Sequence, residues 1–153
     1  MYPTCLEGIF QWKTKEERVR LTRTMMAVLL PHEVQPVAWA ANGQTVMDAY
    51  TRLWEFGYHK DDCTYAAYWD PANPLVQRAD VLVSTYRRGD RVLAVIGSYA
   101  NGDVTLELKP KAGAVMSAKD VFDGRPVEVA GGIARIALPR HDFALVELVL
   151  EKR

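Results

Sequence analysis

The residues best suited to chemistry lie close together between positions 57 and 70, in the stretch GYHKDDCTYAAYWD. This stretch interleaves aromatic rings with carboxylates. Sugar recognition uses both groups, because ring faces pack on the C–H side of a pyranose and carboxylates bond its hydroxyls. Hydrolysis of a glycoside also needs two carboxyl groups. The candidate catalytic residues are therefore Asp61, Asp62 and Asp70, and the candidate substrate-binding residues are His59, Tyr65, Tyr68 and Trp69. The alternative interpretation is that the rings pack between two subdomains and the aspartates are solvated turn residues.

Other sequence motifs for catalysis are missing. The chain has no P-loop, no GxGxxG after a strand, no HExxH and no GxSxG. His32, His59 and His141 are far apart and lack metal-ligand spacing, so we expect no metal site and no cofactor. Cys5 and Cys63 are interpreted as two unrelated thiols.

Composition narrows the class of protein. The chain has 153 residues, of which 49% are hydrophobic and 25% charged, as in an ordinary globular domain. Nineteen basic residues balance nineteen acidic ones, which argues against a nucleic-acid binder that neutralises phosphates and against a polybasic membrane-surface protein. No apolar run is long enough to span a membrane, and the start of the chain lacks a signal-peptide pattern. We expect a cytoplasmic protein.

Two helices are predicted ahead of the candidate site. Residues Thr14 to Glu17 match a capping box, and the helix that it starts should end at Leu30, before Pro31. A second helix is predicted from Thr45, with Gly57 as its left-handed end. Residues 34–41 (VQPVAWAA) are interpreted as a short buried strand or an irregular segment.

The pattern changes at residues 70–74 (DPANP), where prolines prevent a helix from continuing. Beyond this point apolar residues alternate, and about seven strands are expected. Residues 81–87 and 92–99 should pair, and Asn101-Gly102 predicts a type I′ hairpin that joins the second of them to 104–108. The later segments are 114–116, 127–129, 133–138 and 143–150. Consecutive hairpins favour meander pairing.

These elements predict an α+β fold in which an N-terminal helical segment packs on a C-terminal antiparallel β-sandwich or open barrel. The predicted parts are a helical lead-in at 1–73 and a β-sandwich domain at 74–153. The two helices carry apolar faces that one small sheet would not easily cover, which predicts a homo-oligomer. The alternative is a monomer in which the helices fold back fully onto the sheet.

Two long segments carry a family resemblance. They are VLVSTYRRGDRVLAVIGSYANGDVTLEL (81–108) and AKDVFDGRPVEVAGGIARIALPRHDFALVEL (118–148). Their paired hairpins, the Asp123-Gly124 turn and the apolar last strand resemble the all-β C-terminal domain of (β/α)8-barrel glycoside hydrolases. The helical lead-in is similar to the end of the barrel in the same enzymes.

This resemblance implies a carbohydrate-related module without the family's catalytic carboxylates. Those carboxylates lie at the ends of barrel strands, and 153 residues cannot hold a barrel of about 250. Three functions therefore stay open: a non-catalytic carbohydrate-related β-module, a small glycoside hydrolase that uses Asp61, Asp62 and Asp70, or a structural or assembly module. The expected partner is a carbohydrate, with no nucleic acid and no membrane.

Overall fold

The computed structural model describes residues 14–35 and 41–152. Its helices are α1 (Lys15–Leu29), followed by a 3-10 turn at Leu30–His32, and α2 (Gly43–Phe56). Its strands, in chain order, are β1 (Thr64–Ala66), β2 (Val81–Arg88), β3 (Arg91–Ser98), β4 (Val104–Leu108), β5 (Val115–Asp120), β6 (Val127–Ala130), β7 (Ile133–Leu138) and β8 (Phe143–Leu150).

The ends of the helices follow from local hydrogen bonds. The capping box is confirmed: Thr14 Oγ1 accepts from the amide of Glu17 at 3.1 Å, and Glu17 Oε2 accepts from the amide of Thr14 at 2.9 Å. Helix α2 begins at Gly43, so the predicted start at Thr45 was wrong by two residues. Asn42 is its N-cap because Asn42 Oδ1 accepts from the amide of Thr45 at 3.0 Å. Gly57 ends this helix in the left-handed region, as predicted.

The strands form two antiparallel sheets, in the orders β1-β2-β3-β8-β5 and β4-β7-β6. One apolar core lies between the two sheets, and a second lies between the five-stranded sheet and the helices. Residues alternate between these cores along β3, where Ile96 belongs to the first and Val95 to the second. The predicted α+β class, with helices packed on a β-sandwich, is therefore confirmed. Of the segment 34–41, residues 36–40 lie outside the described part of the chain.

The predicted hairpin between β3 and β4 was wrong. Strand β3 pairs with β2 and β8, and β4 pairs with β7 in the other sheet. A type I′ turn needs positive φ at both central residues, and neither Asn101 nor Gly102 has it. These residues instead carry the chain from one sheet to the other. Meander pairing fails for the same reason, because β8 takes the edge of β3 that a meander would give to β4.

Helix α1 crosses the five-stranded sheet in close contact. Gly97 on β3 faces the helix, and a Cβ atom there would overlap the carbonyl oxygen of Ala27. Met26 and Leu30 are buried beside this contact, and Val46 and Leu53 of α2 are buried in the same core. The helices thus cover these apolar side chains on their own sheet, which is the arrangement given above as the alternative to self-association. Self-association stays a prediction.

The two predicted parts of the chain are joined through the sheet edge. Strand β1 pairs with β2, with Tyr65 opposite Tyr86. Asn73 is fully buried, and its Nδ2 donates to the carbonyl oxygens of Ala66 and Val83 at 3.3 and 2.8 Å. The boundary between 1–73 and 74–153 stays a prediction.

Candidate functional site

An aromatic cluster stands at the sheet edge where β1 ends. The Trp69 side chain is 61% exposed, and its ring meets the ring of Tyr68 edge to face at 4.6 Å between centroids. The imidazole of His32 lies 5.4 Å from the Tyr68 ring and 5.9 Å from the Trp69 ring. We call Trp69, Tyr68 and His32 the aromatic platform. Its indole is mostly exposed and lies against the two other rings.

Backbone and hydroxyl bonds fix the position of this platform. The amide of Tyr68 donates to Ser84 Oγ at 3.0 Å, and Ser84 Oγ donates to the carbonyl oxygen of Pro31 at 2.6 Å. Tyr65 also donates its hydroxyl to that carbonyl, at 2.8 Å. Because Ser84 is fully buried, these bonds tie the loop after β1 to the end of α1.

The hydrogen bonds of His32 define its tautomer. Nδ1 lies 2.7 Å from the carbonyl oxygen of Val28, which can only accept, so Nδ1 carries the proton. In the neutral ring Nε2 is then an acceptor for the Tyr68 hydroxyl, 3.3 Å away. The imidazole is thus held from one side by α1 and supports the platform from the other.

The structure brings some of the predicted site residues together and separates others. Tyr68 and Trp69 are in contact in the platform, and Tyr65 packs on Tyr86, with 5.1 Å between ring centroids. His59 lies elsewhere, stacked on the exposed ring of Trp54 at 3.7 Å.

The three predicted catalytic aspartates differ in their bonding. Asp61 is exposed in a turn, and Asp62 forms an ion pair with Arg88 at 2.7 Å. Asp70 Oδ1 accepts from the amide of Ala72 at 2.8 Å. Arg88 and Ser84 are four residues apart on β2, so the ion pair of Asp62 and the anchor of Tyr68 are separated by about 13 Å of strand.

Sequence reasoning missed two residues at the platform. From the sequence, His32 was considered only as a metal ligand, because only the packing of α1 on the sheet brings it to Tyr68, 36 residues further along the chain. Tyr99 is 42% exposed, and both burial and the nearby Tyr68 raise the pKa of its hydroxyl. Tyr99 directly follows β3, and no local motif marks it as a neighbour of Tyr68.

The pKa of Asp62 bears on its predicted catalytic role. The hydrogen bonds from Arg88 lower this pKa below the ordinary aspartate value. A general acid in glycoside hydrolysis needs the opposite shift, because it must hold a proton near neutral pH. Catalysis by Asp61, Asp62 and Asp70 stays a prediction.

A second polar feature joins α1 to the sandwich. Arg23 binds Asp142 through Nε at 2.7 Å and Asp123 through Nη2 at 2.7 Å. Arg125 binds Asp123 at 2.6 Å and the fully buried Asp120 at 2.8 Å, and also donates to the carbonyl oxygen of Phe143. We call Arg23, Asp120, Asp123, Arg125 and Asp142 the ion-pair network.

The ion-pair network includes a turn that the Asp120 side chain closes. Asp120 Oδ1 accepts from the amides of Phe122 and Asp123, which closes the turn that presents Asp123 to both arginines. Burial opposes the charge of Arg23, but the hydrogen bonds that Arg23 donates to Asp142 and Asp123 outweigh this effect and raise the pKa of Arg23. The network thus joins α1 to two turns of the second segment that carries the family resemblance, residues 118–148.

Tyrosines beneath the helices should make the protein sensitive to alkali. Burial first, and then the adjacent Glu33, raise the pKa of Tyr86, whose hydroxyl donates to Glu33 Oε1 at 3.1 Å. Burial also raises the pKa of Tyr50 and Tyr65. In the unfolded chain these hydroxyls ionise near pH 10, whereas in the folded chain they stay protonated. The free energy of unfolding should therefore fall as pH rises above about 10.

Chemical denaturation between about pH 8 and 11 measures this slope, up to about 1.4 kcal/mol per pH unit for each tyrosine. The Tyr86→Phe variant should show a shallower slope, because it removes one ionisable group with a raised pKa. A variant as steep as the parent protein would contradict the role of Tyr86.

A cleft of about 710 Å³ does not coincide with the platform. It lies between residues 71–74 and the end of β8. Both of its lysines have partners within the chain: Lys111 Nζ donates to the carbonyl oxygen of Pro71 at 3.1 Å, and Lys152 pairs with Asp90 at 3.6 Å. We therefore assign it no ligand. In residues 14–35 and 41–152 there is no helix long and apolar enough to cross a membrane.

No protein-family model and no curated protein matches this chain. Among solved structures it is similar to an α-amylase from Anoxybacillus, at 12% identity and TM-score 0.49, over 71% of this chain and 23% of that one. A family 30 subfamily 8 xylanase from Clostridium acetobutylicum gives 13% and 0.48, over 71% and 28%. A maltogenic α-amylase from Thermotoga neapolitana gives 14% and 0.43, over 69% and 26%. These are glycoside hydrolases, the class that the sequence indicated, and the chain spans about a quarter of their length.

Proposed function

We propose that this chain is a carbohydrate-binding module that holds its ligand on the aromatic platform without catalysis. The observation that carries the proposal is the indole of Trp69, which is 61% exposed yet backed by two rings. A large apolar face open to water, with its orientation fixed, suits the C–H face of a pyranose ring. Fixing that orientation in advance lowers the entropic cost of binding.

Polar groups beside the platform suit the hydroxyls of a sugar. Asp70 follows Trp69 in sequence, and only its Oδ1 is bonded among the described residues. Tyr99 adds a half-exposed hydroxyl near Tyr68. A site that combines one apolar face with a few polar groups at its edge is the usual composition of a sugar-binding surface.

The bonding of the acidic residues supports a non-catalytic role. Asp62 is held by Arg88 some distance along β2 from the platform, and Asp70 helps to close its own turn. Glycoside hydrolysis requires two carboxyl groups that face each other across the scissile bond. A surface whose carboxylates have these separate structural partners favours binding over hydrolysis.

The Trp69→Ala variant should lose most of its affinity for carbohydrate. Removal of an aromatic ring at the centre of a binding surface costs about tenfold or more in affinity. Binding to soluble starch and to xylan can be measured by affinity electrophoresis and by tryptophan fluorescence. The fold should survive, because the Trp69 ring is mostly exposed.

Trp54 provides a matched control. Its side chain is 59% exposed and also rests on a histidine ring, but it lies on α2, away from the platform. The Trp54→Ala variant should bind the polysaccharides as the parent protein does. Equal affinity in the parent protein and the Trp69 variant, or equal losses in both variants, would refute the proposed site.

A further inference from the structure

A second cleft, of about 510 Å³, lies between α1 and the turn that joins β7 to β8. Its helix wall carries Lys15, Val19 and Arg20, and its turn wall carries Pro139, Arg140 and His141. Arg23 and Asp142, which bond each other across the cleft, join the two walls at its floor. The volume is within the range of small-molecule sites.

The cationic groups of this cleft outnumber its carboxylates. Seven of the arginines in residues 14–35 and 41–152 have a carboxylate partner. Arg20 and Arg140 are among the few arginines of those ranges that have no carboxylate partner there. Both line this cleft. Lys15 adds a third cation, and Glu16 is the one carboxylate on the wall beside them. The charge of Asp142 is already matched by Arg23 and Arg125.

The walls are held in place before any ligand arrives. Arg140 donates its backbone amide to Asp103 Oδ1 at 2.8 Å, which anchors the turn and leaves the guanidinium free to bind. His141 adopts a left-handed conformation with a φ of 53°, and the next residue, Asp142, accepts a hydrogen bond from Arg23 of α1. Because the ion-pair network fixes both walls, little ordering remains to be done when a ligand binds.

We propose that this cleft binds a small organic anion, a carboxylate or a phosphate ester, whose apolar body packs on Val19 and Pro139. Guanidinium groups match the planar oxygens of both anions and can bond them in a bidentate manner. The methylene stems of Lys15 and Arg20 extend the apolar wall beneath their charges. This site is separate from the aromatic platform and does not depend on it.

Three sugars with the same ring test the anionic requirement. Glucose, glucuronate and glucose 6-phosphate would be titrated into the full chain while backbone amide shifts of residues 16–24 and 140–142 are followed by NMR. Concentrations up to about 20 mM cover the millimolar dissociation constants of weak ligands. We expect one or both anions to shift these amides and glucose to leave them unchanged. A response to glucuronate alone identifies a carboxylate, and a response to glucose 6-phosphate alone identifies a phosphate ester.

Charge-removing variants locate the binding groups. Arg20→Gln and Arg140→Gln should each weaken anion binding about tenfold, because each removes a charged hydrogen-bond donor. Arg18→Gln is the control: it removes the same charge from the same helix, but Arg18 does not line the cleft. The Trp69→Ala variant should bind the anion as the parent protein does, which separates this proposal from the platform. No response to either anion, an equal response to glucose, or equal weakening by Arg18→Gln would overturn it.

Discussion

Replacement of Gly97 with alanine is expected to lower the free energy of unfolding by about 3 kcal/mol, the upper part of the range for an overfilled core. The added methyl group would overlap the carbonyl oxygen of Ala27, which belongs to the backbone of α1 and cannot rotate away. The neighbours on both sides are fully packed, since Met26 and Ile96 are completely buried. The helix must therefore move off the sheet, and contacts of Met26 and Leu30 would be lost with it.

Gly102 is the matched control for this substitution. No atom lies within 4 Å of the position that its Cβ would take, and its φ is not positive. Gly102→Ala should change stability by no more than about 0.5 kcal/mol. Urea denaturation followed by circular dichroism measures both variants. Similar stabilities for the two would show that α1 does not press on β3 as the structure places it.

Local sequence signals predicted the helices and strands better than they predicted which strands pair with each other. The capping box at Thr14 and the proline after Leu30 fix the ends of α1, because both act within one helical turn. The alternating apolar residues likewise marked most strands, although β1 is too short to show a pattern. The Asn101-Gly102 pair gave a wrong hairpin prediction, because strand pairing depends on which strand covers the open edge of β3. That strand is β8, which lies 45 residues further along the chain.

In the candidate sites, too, local sequence signals identified single residues but not their long-range contacts. Tyr68 and Trp69 could be selected from sequence because they are adjacent aromatic residues beside an aspartate. The role of His32 could not, since it depends on the packing of α1 at Gly97 and Pro31. The sequence likewise drew attention to the turn at Asp123 but not to Arg23, which lies a hundred residues before it. Contacts of this range follow from the assembled fold and leave no local spacing to detect.

The ion-pair network should be the most sensitive polar feature of the molecule. The Asp142→Asn substitution is expected to lower the free energy of unfolding by about 3 kcal/mol, because it removes one partner of a buried ion pair. Asp142 accepts from Arg23 at 2.7 and 2.8 Å and lies near Arg125 at 3.4 Å. The amide of asparagine would leave two guanidinium groups short of charge and would turn an NH2 donor towards one of them.

Asp80 offers a control of the same chemistry at the surface. It pairs with Arg78, and both side chains are more than 40% exposed, so solvent screens the pair and Asp80→Asn should lower stability far less than Asp142→Asn. Thermal and urea denaturation of the two variants give the comparison. Proteolysis adds a local readout: because Arg23 ties α1 to the β5–β6 and β7–β8 turns, the Asp142 variant should be cleaved earlier within α1. An Asp142 variant no less stable than the Asp80 variant would mean that apolar packing alone holds the helix on the sheet.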